Sequence, residues 1–202
     1  MIELWDYLLQ LISAAAGFAL ALRRYYRSRQ QPWFLLSCFY GTFALGTLYW
    51  TLHLLLRRET PQVFYVADLA WAASFVFLLA LALTLPDPPE RGKTALCWLV
   101  PVFYLPQFAL YVTYGDVFTN VLMCGTTMAA SMRAVRALRC GSPRRRGFYA
   151  MVLVFAALEY ALWTSSCFWL GDTPANPYFW FDLLLTLALP LFVPALGRAV
   201  EA

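Results

Sequence analysis

The chemistry in this sequence rests on acidic side chains set inside long apolar runs. Asp68 lies within the run 63–85, Glu159 within 148–170 and Asp182 within 177–197; the single histidine, His53, stands near the end of the run 33–56. A carboxyl kept in hydrocarbon is costly, so by default it marks a ligand, ion or proton site. Two of the acids have similar surroundings. Trp50 is followed ten residues on by Thr60-Pro61 and then by Asp68, and Trp163 ten residues on by Thr173-Pro174 and then by Asp182. The pairing is imperfect, because the acid follows its tryptophan by 18 residues in one copy and by 19 in the other. Glu159, whose counterpart in the first copy is Gly46, has no twin and lies deepest.

These acids need elements to hold them, and composition says which kind. Hydrophobic residues make up 62% of the 202, charged residues 13%, and the mean hydropathy is +0.62. A soluble domain is roughly 45–50% apolar. About 20 apolar residues in a helix span the hydrocarbon core, and seven segments qualify: 5–22, 33–56, 63–85, 95–113, 115–137, 148–170 and 177–197. They do not alternate as barrel strands do. The expected fold is all-α, one polytopic domain of seven transmembrane helices.

Charge placement orients the bundle. Thirteen of the 15 basic residues fall on one set of connections, and only Arg57 and Arg58 on the other. The positive-inside rule puts the N-terminus out and the C-terminus in. Glu3 and Asp6 precede the first apolar run while Arg23 and Arg24 follow it, which suits an uncleaved anchor rather than a signal peptide. The formal charge of +4 then serves loop retention and contact with anionic headgroups, not nucleic acid. The expected setting is a bacterial plasma membrane.

On this topology Asp68 and Asp182 each lie about five residues, or roughly 7.5 Å, in from the outer end of their helix. Asp6, Asp116 and His53 stand at outer ends, where interfacial water is the plain expectation. If Glu159, Asp68, Asp182 and His53 converge, they form an outward-facing acidic cavity for a small cation, a protonated amine or a proton. Tyr49, Trp50, Tyr65, Tyr114, Trp163, Trp169, Tyr178 and Trp180 near outer ends, with Tyr25, Tyr26, Trp33, Trp98 and Tyr149 near inner ends, read as interfacial belts. Gly125 and Ala129 make a small-xxx-small pair for close helix packing. Pro101, Pro106, Pro190 and Pro194 interrupt the fourth and seventh segments, and 139–147 reads as a cytoplasmic turn. The repeat divides the helices three, one, three, which keeps both triplets in parallel orientation.

Signatures of catalysis are absent: no HExxH, no GxSxG and no glycine-rich phosphate loop occur. The contexts Val66-Ala67-Asp68-Leu69 and Trp180-Phe181-Asp182-Leu183 differ from the Tyr-Asp and Gly-x-Gly-Asp runs of intramembrane aspartyl proteases. Five scattered cysteines without CxxC and one histidine give no expectation of a metal or cofactor. Cys140, in the basic stretch, is a candidate for palmitoylation.

Three resemblances accompany this reading. Ala44-Leu45-Gly46-Thr47-Leu48-Tyr49-Trp50 through Ala67-Asp68-Leu69-Ala70-Trp71 resembles the seven-helix membrane regions of bacterial sensor proteins, which implies signalling through a cytoplasmic or membrane partner. Tyr65-Val66-Ala67-Asp68 resembles the third-helix acid motif of microbial rhodopsins, but Thr186 stands at the position of their retinal lysine, which excludes a Schiff base. The three-one-three topology is similar to that of SWEET and PQ-loop transporters. Pro106-Gln107 and Pro61-Gln62, however, do not fall in the helices where that motif belongs. The expectation is a non-enzymatic sensory or small-ligand-binding bundle, with a small-solute or cation/proton-coupled transporter as the alternative.

Overall fold

The structure is a computed structural model describing residues 2–57, 65–85, 95–114, 117–169 and 171–201. Asp116, Lys93 and Thr60-Pro61 lie outside the described residues. Every regular element among the described residues is helical: α1 (Ile2–Ser28), α2 (Gln31–Arg57), α3 (Tyr65–Thr84), a 3-10 turn (Ala95–Trp98) leading into α4 (Leu99–Tyr114), α5 (Val117–Cys140), α6 (Pro143–Phe168), α7 (Pro177–Ala188), a 3-10 turn (Leu189–Leu191) and α8 (Phe192–Val200). The last three form one interrupted rod. The helices run past the apolar segments at their basic ends, because the apolar count measures hydrocarbon crossed, whereas a helix continues until a cap stops it.

The stops are local. Arg29 takes a left-handed backbone conformation at φ 56°, and its N–H donates to Tyr25 O at 2.7 Å, closing α1 with the geometry usually left to glycine. Ser142 caps and Pro143 opens α6, where a proline costs no hydrogen bond. The expected turn at 139–147 is therefore only Gly141-Ser142, and Arg144, Arg145 and Arg146 are helical.

Six of the rods are long and apolar enough to cross a membrane; α5 is not. Buried Thr119, Asn120, Thr127 and Ser131 and the arginines of its last turns lower its hydropathy. Exposed apolar side chains, such as Leu9, Ile12, Leu45, Leu83, Phe103 and Leu187, cover the other helices.

Packing contacts run in a closed circuit: α1 on α2, α2 on α3, α3 on α5, α5 on α6, α6 on α7, and α7 back on α1. α4 flanks this circuit against α5 and α6. Phenylalanines fill the middle. Phe155 meets Phe39, Phe75 and Phe192 at centroid distances of 5.5, 5.6 and 5.6 Å, and all four are buried. Such pairs add about 0.5–1.5 kcal/mol each beyond their burial.

The interruption of the seventh rod follows from Pro190, which has no N–H for the Thr186 carbonyl. Ser13 of α1 replaces that donor, its hydroxyl lying 3.0 Å from Thr186 O. The Tyr40 hydroxyl of α2 donates to Leu189 O within the 3-10 turn. Tyr40 reaches it across Gly17, where an added Cβ would sit 2.4 Å from the tyrosine ring. At the arginine-rich end, Arg133 donates to Ala82 O at 3.2 Å and Leu85 O at 3.0 Å, and the Tyr149 hydroxyl donates to Ala82 O at 3.2 Å. An arginine on α5 thus satisfies the last carbonyls of α3.

Two expectations are corrected. A Cβ on Gly125 would meet nothing within 4 Å, so the close packing is at Gly17 and Gly46 instead. Among the belt aromatics, Trp98, Trp169 and Trp180 are exposed, but Trp33 and Tyr149 are buried in the core, because a ring beside a neighbouring helix gains more by packing than by facing an interface. From this geometry, Gly17→Ala should cost about 1–3 kcal/mol through overpacking. Gly125→Ala should change stability by less than about 0.5 kcal/mol. Denaturant unfolding of the purified protein in detergent measures both.

Candidate functional site

Polar groups gather at two places. The first is a cavity of about 30 Å³ between α3, α4, α5 and α6. One water needs roughly 10–15 Å³ on this measure, so the space holds one or two water-sized groups. Glu159 lines it, only 7% exposed, and one of its oxygens accepts a hydrogen bond from Trp163 Nε1, one turn on, at 3.0 Å. Tyr104, Tyr111, Tyr160, Trp163 and Phe75 wall the cavity. Hydrogen bonds within α4 and between helices brace the tyrosines. Gln107 Nε2 donates to Tyr111 OH at 2.5 Å and to Tyr160 O at 3.1 Å, and Asn120 Nδ2 donates to Tyr111 O at 3.0 Å. The Tyr104 hydroxyl pairs with Ser131 at 3.1 Å, and the rings of Phe103 and Tyr160 stack at 4.2 Å. A carboxyl ringed by aromatic faces is the arrangement that attracts a small cation.

The second place is where α7 meets α1. Asp182, 1% exposed, accepts a hydrogen bond from Gln10 Nε2, and its carboxyl stands within hydrogen-bonding reach of that of Asp6, 7% exposed. The Tyr7 and Tyr178 hydroxyls pair at 2.8 Å beside them. Gln10 belongs to a longer chain. The Trp71 indole N–H points to Thr47 Oγ1 at 3.5 Å, and the Thr47 hydroxyl stands 3.2 Å from Gln10 Oε1 and 3.1 Å from Phe43 O. An indole N–H only donates and the Gln10 carbonyl oxygen only accepts, so when the Thr47 hydroxyl gives its one proton to Gln10 rather than to Phe43 O the chain runs from Trp71 through Thr47 and Gln10 to Asp182. Donors from α3, α2 and α1 thus end on a carboxylate of α7. Gly46 makes room for the start of this chain, since a Cβ there would lie 2.8 Å from Trp71 Nε1. Above it, the Trp50 ring stands 5.7 Å from Tyr7 and 5.8 Å from Trp71, and its indole donates to Glu3 at 3.3 Å.

The four residues expected to share one cavity are therefore placed apart. Glu159 lines the cavity, whereas Asp68, Asp182 and His53 are not among its lining residues. Asp182 faces Asp6 and Gln10 instead, though it is near enough to Glu159 for the two to repel. Asp68 is half-buried on α3, and half-buried His53 lies 6.3 Å from the Tyr49 ring on α2. Asp68 lies in the first turn of α3 and Asp182 in the second turn of α7, and similar spacing from the end of an apolar run does not by itself bring side chains together. Asp6, expected in interfacial water, is buried against Asp182 because its face of α1 packs on α7.

Sequence reasoning missed Asp6, Gln10, Tyr7, Gln107 and Asn120. For α1 a signal existed: Glu3, Asp6, Gln10, Ser13 and Gly17 follow one another at three or four residues, a polar and small stripe on one helix face. Among the described residues no group of three or more His, Cys, Asp and Glu stands together as for a metal ion.

The donor chain makes a testable prediction. Gln10→Met keeps the volume but leaves Asp182 without its amide donor, and should cost about 1–3 kcal/mol. Thr47→Val and Trp71→Phe should each cost less, and together less than the sum of the two, by at least about 0.5 kcal/mol. Denaturant unfolding of the single and double variants in detergent reads this coupling. Compared with protein-family models, curated proteins and solved structures, the chain has no match.

Proposed function

We propose that this chain is a membrane-embedded ligand-binding bundle whose aromatic-walled cavity at Glu159 takes a small cation or protonated amine. In this reading it is a sensory module of a bacterial plasma membrane. The N-terminus lies outside, the arginine-rich end faces the cytoplasm, and a membrane or cytoplasmic partner receives the signal. The observation that carries the reading is the buried Glu159 carboxyl at a cavity walled by tyrosine, tryptophan and phenylalanine. Its size favours ammonium or methylammonium over a bulkier amine.

Binding is favoured over conduction by what lies beside the cavity. Phe75 both lines it and packs on Phe155, which packs in turn on Phe39 and Phe192, so the middle of the bundle is filled. The second reading, a cation/proton-coupled transporter, has one observation in its favour. The seventh rod is interrupted at Leu189–Leu191, the kind of broken helix that transporters use beside a substrate.

Calorimetric titration of methylammonium chloride into the protein in nanodiscs is expected to give saturable binding. Glu159→Gln should weaken it at least tenfold, the equivalent of about 1.4 kcal/mol. Tyr160→Leu should weaken it several-fold through loss of a cation–π wall. Unchanged binding in Glu159→Gln would overturn the assignment. Methylammonium uptake into proteoliposomes that disappears with Glu159→Gln would move the conclusion to the transporter.

A further inference from the structure

The Asp6–Asp182 pair is separate from the Glu159 cavity and makes its own demand. Asp6 Oδ2 and Asp182 Oδ2 are both buried with no hydrogen-bond donor. The two carboxyls nevertheless stand within hydrogen-bonding reach of each other. A third orphan, Thr186 Oγ1, lies one turn along α7 from Asp182 on the same face and is likewise buried without a partner. Titratable groups facing the pair are Glu3 and Tyr7 from α1, Tyr178 from α7 and Glu159 from α6. α2 presents Thr47 to Gln10 and the Trp50 indole to Glu3. No lysine, arginine or histidine is among them.

We infer that Asp6 and Asp182 form a proton-binding site in which one proton, shared between the two carboxyls, clasps α1 to α7. Two adjacent carboxylates with no cation repel, and neither can donate. One proton resolves both faults: it is held between Asp6 Oδ2 and Asp182 Oδ2, and the two orphaned oxygens are satisfied together. Gln10 donates to the other Asp182 oxygen, Oδ1, which leaves Oδ2 to share the proton. The clasp lies where α1 packs on α7, the contact that closes the helix circuit. Release of the proton puts two like charges face to face, so stability should fall as pH rises.

Infrared spectroscopy of the full chain in nanodiscs at neutral pH tests this, following the C=O stretch of protonated carboxyls and its shift in D₂O. Glu159→Gln, recorded in parallel, identifies any signal from the cavity acid. Wild type should show a protonated-carboxyl band that survives Glu159→Gln and disappears or shifts in both Asp6→Asn and Asp182→Asn. An asparagine amide donates to the remaining carboxylate in place of the shared proton, so Asp6→Asn should fold and lose the decline of thermal stability toward alkaline pH. Asp182→Asn carries the same two readouts if Asp6→Asn does not fold. A wild type without the band, or a band unchanged in both variants, overturns the inference. Stability that rises with sodium at fixed pH also overturns it, by assigning the site to a metal cation.

Discussion

A carboxylate buried without a cation has to be answered by neutral donors, and in this bundle those donors come from three other helices. Asp182 needs Gln10, Gln10 is held by Thr47, and Thr47 receives the Trp71 indole. Each link joins a different pair of rods, so the acid fixes the mutual rotation of α1, α2, α3 and α7. Apolar packing alone specifies this weakly in lipid, where side chains lose little by facing hydrocarbon instead of each other. Gly46 belongs to the same constraint, because its missing side chain is what lets the indole reach Thr47.

Glu159 is handled differently. Its tryptophan donor comes from its own helix one turn on, so the acid is steadied without tying helices together. The groups that do tie α4, α5 and α6 there, Gln107 and Asn120, bond to tyrosine hydroxyls and backbone carbonyls and leave the carboxyl facing the cavity. The two lookalike stretches of the sequence thus differ at their polar centres. One copy places an acid where the other places a glycine that seats an indole.

Much of the fold was legible because long apolar runs report helices directly. The departures have physical causes. α5 carries its polarity inward, so a composition rule for spans does not pick it out. The site was legible only residue by residue. That Glu159 and Asp182 are buried followed from their depth, but their partners depend on which way each helix is turned. The polar stripe of α1 held that information at helical spacing. No such stripe announces Gln107, whose neighbour Pro106 drew attention to backbone shape rather than to a side chain that braces a tyrosine.

The flanking position of α4 has a mechanical consequence. α4 supplies Tyr104, Gln107 and Tyr111 to the cavity wall, yet among the described residues its main helix partners are α5 and α6, while the closed circuit of the other rods does not pass through it. The work of widening the cavity is therefore the work of shifting one peripheral rod, set by a few hydrogen bonds and ring contacts. The global unfolding free energy is set elsewhere, in the phenylalanine core and the donor chain to Asp182. Local opening and global stability are thereby separable quantities in this bundle, and hydrogen exchange along α4 would report the first without the second.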